Sequence, residues 1–314
     1  MRRLLAGTAV GLLALPALPS VPPYYLYLLS TAFLFATLAT AWNLLAYGGQ
    51  VSFGHAGFFG LGAYAGALGS LQGLSPWLAI GLGGAVAAAG GVAVGLTSAR
   101  LRGASLALAT LAAAELLRGL ALNWTPLTGG GAGLIGIPPL PQLPGVPLDF
   151  ARGRVGTYYL SLGVLAAALA IFATILRSAA GLGLAALRES EQRATLLGVR
   201  PLPWKLFAFG LSALLTGLAG SVYAHTVRAV EPDVVFNRFF SIVPLVMATF
   251  GGLYTLLGPT LAAITLYLAS ELLLHPYLPA LHQLPYALAL IVVILYLPGG
   301  LAAIRRPGPR NRGR

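Results

Sequence analysis

Ser52 and His55 stand three residues apart, the separation at which a hydroxyl nucleophile and an imidazole base can meet on one helical turn. No acid to orient the imidazole and no oxyanion motif accompanies them, so catalysis is not the expectation, and a role in gating or lining a solute path fits their glycine-rich surroundings better. Glu115 and Arg118 form a second pair, one turn apart inside an apolar stretch. A lone charge at mid-bilayer costs roughly 2.5–3.5 kcal/mol, so a structural ion pair is the main expectation and direct contact with a solute the alternative. His225 with Arg228, and Glu271 with His275, read as interfacial residues, a proton relay being the sharper alternative. The chain has no Gly-x-x-x-x-Gly-Lys-Ser/Thr loop to cradle a nucleotide and no cysteine for disulfides or thiolate metal sites. No catalytic residue, metal or cofactor is therefore expected.

The elements that must hold these residues follow from composition. Of 314 residues, 58% are hydrophobic and 8% charged, and the mean hydropathy is +0.85. Soluble domains carry roughly 25% charged residues, so most of this surface must face lipid. Long unbroken apolar stretches, Leu78 to Val94 and Tyr158 to Leu176 among them, call for helices rather than alternating barrel strands. The net charge of +12 comes from arginines at helix ends and in the tail Arg305, Arg306, Arg310, Arg312 and Arg314, the pattern of the positive-inside rule rather than of a nucleic-acid face.

About ten spans are expected, over 4–20, 24–46, 52–71, 76–99, 104–122, 157–178, 205–229, 239–254, 258–275 and 284–304. The first is expected to be an uncleaved helix held in by Arg2 and Arg3 rather than a signal peptide. Residues 1–304 then form a single all-α transmembrane domain, with a loop at 123–156 outside, a basic tail at 305–314, and both termini cytoplasmic at the inner membrane. Two glycine clusters interrupt the pattern, Gly48-Gly49-Gln50-Val51-Ser52-Phe53-Gly54 and Gly251-Gly252 with Gly258-Pro259. Irregular backbone at membrane depth is tolerated where protein buries it or where it lines a cavity. Asn43, Gly49, Gln50, Ser52, His55, Gly251 and Gly252 are the candidate residues of a translocation path. The two breaks also suggest an inverted repeat of five helices and five.

The segment 182–198 is too short and too polar to span. Leu184, Leu187, Ala194 and Leu197 recur with helical spacing to give one apolar stripe, while Arg188, Glu189, Gln192 and Arg193 face elsewhere, and Gly198 can end the helix. Such a stripe must be covered by the bilayer surface, by its own bundle or by another protein.

The segment Gly181 through Lys205 resembles the cytoplasmic coupling segment of ABC importer permeases, with Glu189, Ala194 and Gly198 as a degenerate Glu-Ala-Ala…Gly pattern. Asn43 with Gly48 to Ala56 and Gly60 to Tyr64 is similar to the signature of branched-chain amino-acid (LIV-type) permeases. Thr110-Leu111, Glu115, Arg118, Asn123-Trp124, Thr128-Gly129-Gly130 and Gly133 to Pro138 look like the longer of the two LIV permease subunits, and Lys205 to Phe209, Gly217 to Gly220 and Gly251-Gly252…Gly258-Pro259 continue the resemblance. Gly131-Ala132 and Tyr254 depart from it. The resemblance implies a type II importer fold, a heterodimer with a second permease subunit, two cytoplasmic ATPase subunits, an external solute-binding protein and an amino-acid substrate. Leu184, Leu187, Arg188, Glu189, Ala194 and Gly198 are then the residues of coupling to the ATPase. A urea or short-amide permease of the same class, and an ion-coupled secondary transporter working alone, are the alternatives.

Overall fold

A computed structural model describes residues 15–17, 22–142, 150, 154–274, 284, 286–288 and 291. The expected span 284–304 in its greater part, the tail 305–314 and His275 lie outside the described residues, as does the span 4–20 apart from a 3-10 turn at Leu15–Ala17. The described chain is a helical bundle. Six of its segments, of 20–27 residues, are long and apolar enough to cross a membrane, which makes this a multi-pass membrane protein.

Helix α1 (Pro23–Tyr47) is followed by α2 (His55–Leu71), α3 (Pro76–Thr97) and α4 (Gly103–Asn123). A short α5 (Thr125–Thr128), a 3-10 turn and β1 (Leu134–Ile135) then cross one end of the bundle before α6 (Arg154–Leu176). Two short helices, α7 (Ala179–Glu189) and α8 (Glu191–Leu196), lead into α9 (Pro201–Val227). The chain continues through β2 (Ala229–Val230), α10 (Pro232–Val235), α11 (Phe239–Gly251) and α12 (Gly258–Ala269), which runs on as a π-helical turn, Ser270–Leu274. Strands β1 and β2 pair antiparallel, Leu134 opposite Val230 and Ile135 opposite Ala229. Proline opens α1, α3, α9 and α10, where its fixed φ suits the first turn and its missing N–H would have no partner anyway.

Helix α1 is the axis: 89% of its most apolar window is buried, against 28% for α4 and α6. It packs on α6, α9, α11 and α12. The closest packing lies among α2, α3 and α9, where small residues let backbones touch. A methyl group at Gly83 would come within 2.5 Å of Gly62 O and 2.8 Å of Ser221 Cβ, and one at Gly62 would collide with the backbone of Gly217.

Most expected spans match a helix to within a few residues, and two expectations are corrected. The single helix over 182–198 is divided at Ser190, whose extended backbone (φ −167°) ends α7 and whose Oγ accepts from Arg193 N at 3.3 Å to start α8. Within the 123–156 loop, the glycine-rich stretch 127–139 is expected to be too flexible for a helix and to lie along the bundle; its first residues instead end α5 and Leu134–Ile135 form a strand, while Ile137, with Leu140 beyond it, is buried against the helices.

Candidate functional site

The break between α1 and α2 is irregular backbone buried by four helices. Trp42 Nε1 on α1 donates to Ser52 O at 2.8 Å. Phe53 N donates to Thr110 Oγ1 on α4 at 3.0 Å, and Ala56 N to Ser241 Oγ on α11 at 2.8 Å. Ser212 Oγ on α9 donates to Ala41 O at 2.8 Å, so at 3.0 Å it accepts from His55 Nε2. His55 is thus aimed at Ser212 and not at Ser52, whose own Oγ accepts from Gly54 N at 3.0 Å; the nucleophile–base pairing is not formed. Gln50, Ser52 and His55 are all buried, and Gln50 Oε1 and His55 Nδ1 have no hydrogen-bond partner.

The second break, between α11 and α12, is tied to the first through one side chain. Fully buried Asn43 donates from Nδ2 to Thr255 O at 2.9 Å and accepts at Oδ1 from Tyr254 N at 2.8 Å. It therefore satisfies both polar groups that the part-buried loop turns toward α1, and they in turn satisfy its own buried amide. Gly252 (φ +106°) and Tyr254 (φ +67°) hold the loop in left-handed backbone, and Gly251 and Gly258 touch so closely that a Cβ on either would collide with the other's carbonyl.

Helix α7 lies over both breaks. A Cβ on Gly49 (φ +77°) would stand 2.9 Å from Arg188 Cα, and one on Gly48 3.1 Å from Leu184 Cδ2. The Arg188 guanidinium sits over the rings of Tyr254, 4.2 Å from its centroid, and Tyr47, at 5.2 Å, both within cation–π range. Leu184, Leu187 and Ala194 are buried in the protein's own bundle. Glu189 and Gly198 are exposed, and the large apolar residues turned outward are Leu182, Leu196 and Leu197, the last two 87% and 83% exposed. Glu191 fastens α8 to Arg102 at 2.9 Å and to the buried Lys205 at 3.0 Å, and Lys205 also donates to Ala99 O.

Glu115 and Arg118 do approach one another, at 3.6 Å, but their shorter contacts are elsewhere. Arg238 Nε donates to Glu115 Oε1 at 2.6 Å, and Arg118 Nε to Asp233 Oδ1 at 3.0 Å. The four charges, with Phe236 and Asn237, line an open cleft of about 330 Å³. His225, in the last turn of α9, is buried between α9 and α2: its Nδ1 donates to Ser221 O at 2.8 Å, so its Nε2 accepts from Ser70 Oγ at 2.7 Å. Among the described residues no three His, Asp or Glu side chains converge as a metal site would need.

Residues 24–297 match the family described as branched-chain amino acid transport system / permease component. The chain belongs to this family. It is also 31% identical, over 284 residues, to the high-affinity branched-chain amino acid transport system permease protein LivM of Salmonella typhimurium, and 32% identical over the same length to that of Escherichia coli. The aligned part covers 82% of this chain and 65% of each relative, so the chain spans about two thirds of their length. No solved structure is significantly similar.

A permease has to move a solute past its helices, and here the candidate path residues Asn43, Gly49, Gln50, Ser52, His55, Gly251 and Gly252 all fall on the two breaks or the helix ends beside them. Other residues complete the arrangement: Thr110, which entered only through the resemblance, with Ser212 and Ser241 as anchors of the first break, Tyr47 and Tyr254 (the latter noted only as a departure from the resemblance) as the rings under Arg188, and Glu191 as the anchor of α8. A signal existed for the last, because an acidic residue behind Ser190 marks a helix start. None existed for the others, whose partners are far away in the chain.

Proposed function

We propose that this chain is the transmembrane permease subunit of an ATP-binding-cassette importer for branched-chain or related amino acids at the inner membrane, working beside a second permease subunit, two cytoplasmic ATPase subunits and an external solute-binding protein. The observation that carries the proposal is the seat of α7 on both breaks, with Arg188 against Gly49, Tyr47 and Tyr254. A helix pair that does not span, buried on one side in the bundle and apolar on the other, is built to pass motion from a bound partner to the irregular backbone beneath it.

In this scheme the charged end with Arg102, Glu191 and Lys205 is cytoplasmic, in keeping with the positive-inside rule. Both termini lie on that side, about ten helices cross, and the two breaks occupy corresponding places in an inverted five-plus-five arrangement. Leu182, Leu196 and Leu197, flanked by Glu189 and Gly198, meet the ATPase. Leu184, Leu187, Arg188 and Ala194 face the other way and relay its movement: when the ATPase pair closes, α7–α8 shifts, Arg188 carries the Tyr254 loop with it, and the Asn43 bonds transfer that shift to α1. Hydrolysis belongs to the ATPase; this chain moves.

The test is reconstitution of the complex in proteoliposomes. Leucine uptake is expected only with ATP inside and the binding protein outside. Accumulation by this chain alone on an ion gradient, with no nucleotide, would overturn the proposal.

A further inference from the structure

The cleft of Glu115, Arg118, Asp233 and Arg238 is in the wrong place for a surface salt-bridge cluster. Helix α4 rises about 1.5 Å per residue, which puts Glu115 about 12 Å below the helix end at Asn123, near the middle of its span. Yet the Glu115 and Arg118 side chains are 30% and 38% exposed, and those of Asp233 and Arg238 63% and 65%. Asp233, in the first turn of the segment Pro232–Gly251, and Arg238 reach these residues from the end of that segment. Charged side chains within membrane spans pair with one another and face a water-filled cavity or the inside of a bundle, and the open cleft between these pairs is suited to water rather than to hydrocarbon.

Its chemistry is specific. Two guanidiniums and two carboxylates give zero net charge, so a solute with one ammonium and one carboxylate enters without unbalancing the cleft, whereas a singly charged solute does not. The carboxylate of such a solute can take the place of Asp233 or Glu115 at an arginine, and its ammonium the place of an arginine at a carboxylate. The floor between the charges is the ring of Phe236, stacked on Tyr64 with centroids 5.9 Å apart. The buried Tyr64 hydroxyl has no hydrogen-bond partner and stands within electrostatic range of Asp233. Charge recognition at the rim and an apolar floor are the two needs of an aliphatic zwitterion.

We propose that this cleft is a transit subsite for zwitterionic, aliphatic amino acids, wetted during transport, with Glu115, Arg118, Asp233 and Arg238 recognising the charged ends and Phe236 the side chain. The proposal rests on the importer reading above and adds where the solute is held.

Because the chain has no cysteine, Asn237→Cys at the exposed rim places one thiol in the cleft. In the complete complex, assembled with cysteine-free partners, that thiol is titrated with the membrane-impermeant cation methanethiosulfonate ethyltrimethylammonium, and modification is read by mass on this chain. Labelling is expected, and leucine is expected to slow it at least threefold, while leucinamide, which lacks the carboxylate, and 4-methylpentanoate, which lacks the ammonium, leave it unchanged at equal concentration. No labelling overturns the aqueous path. Labelling indifferent to leucine, or slowed equally by all three, overturns the zwitterion subsite. ATP-driven leucine uptake by the unmodified complex is measured alongside: its absence defeats the importer reading, while the labelling pattern judges the subsite by itself.

Discussion

Gly49→Ala separates backbone strain from steric push. At φ +77° any L-residue carries strain of about 1–2 kcal/mol, and its Cβ would lie 2.9 Å from Arg188 Cα. Carbon atoms rest at about 3.5–4.0 Å, so α7 must withdraw by about 0.6–1.1 Å. Since Arg188 lies 5.2 Å from the Tyr47 ring, that movement brings it to about 6 Å, the edge of useful cation–π attraction. Gly73→Ala is the matched control: its φ is +91°, but nothing lies within 4 Å of the added methyl. Both variants are expected to lose similar thermal stability from strain, and only Gly49→Ala to transport several-fold less leucine per ATP hydrolysed in proteoliposomes with the binding protein. If the two variants show the same transport-to-hydrolysis ratio, the seat of α7 on Gly49 does not carry coupling.

Asn43→Ala leaves the part-buried Tyr254 N–H and Thr255 carbonyl without their partner; at the low end of the about 1–3 kcal/mol for an unsatisfied group, a loss of about 1–2 kcal/mol is expected, measured as a lower denaturation temperature in detergent together with loss of uptake. Leu184→Ala removes a side chain 1% exposed; large-to-small changes of this kind lose about 2–5 kcal/mol, and here the expected readout is faster tryptic cleavage at Arg188 and Arg193 as α7 loosens. Leu196→Glu with Leu197→Glu changes residues already in solvent, so stability is expected to hold within about 0.5 kcal/mol while the ATPase no longer copurifies.

The spans were legible because lipid forces a uniform apolar composition on them, and the breaks because glycine and proline interrupt it. The 182–198 segment shows where such legibility ends. Its periodicity gives an amphipathic helix, but a stripe does not say what covers it: Leu184, Leu187 and Ala194 are covered by the protein's own bundle, and the outward apolar residues are Leu182, Leu196 and Leu197. The chain break at Ser190 had a local signal, a serine able to cap the next turn. Glu115 and Arg118 could be paired from spacing alone, yet their tighter partners Arg238 and Asp233 lie 123 and 115 positions away, and nothing local announces them. The place of His225 near a helix end was legible, but its burial was not, because Ser70, the partner that makes burial acceptable, comes from another helix.

The backbone contacts among α2, α3 and α9 bear on how the protein can change shape. At Gly83 against Gly62 and Gly62 against Gly217 the backbones meet directly, and no side chain stands at those points to hop rotamers and absorb a slide. The three form a stiff keel. Any tilt that opens one mouth of the pathway and shuts the other must then hinge at the keel's margins, where α1 meets it across hydrogen-bonded loops and where α4 touches it lightly, and spin labels on the keel should keep their separations throughout the cycle.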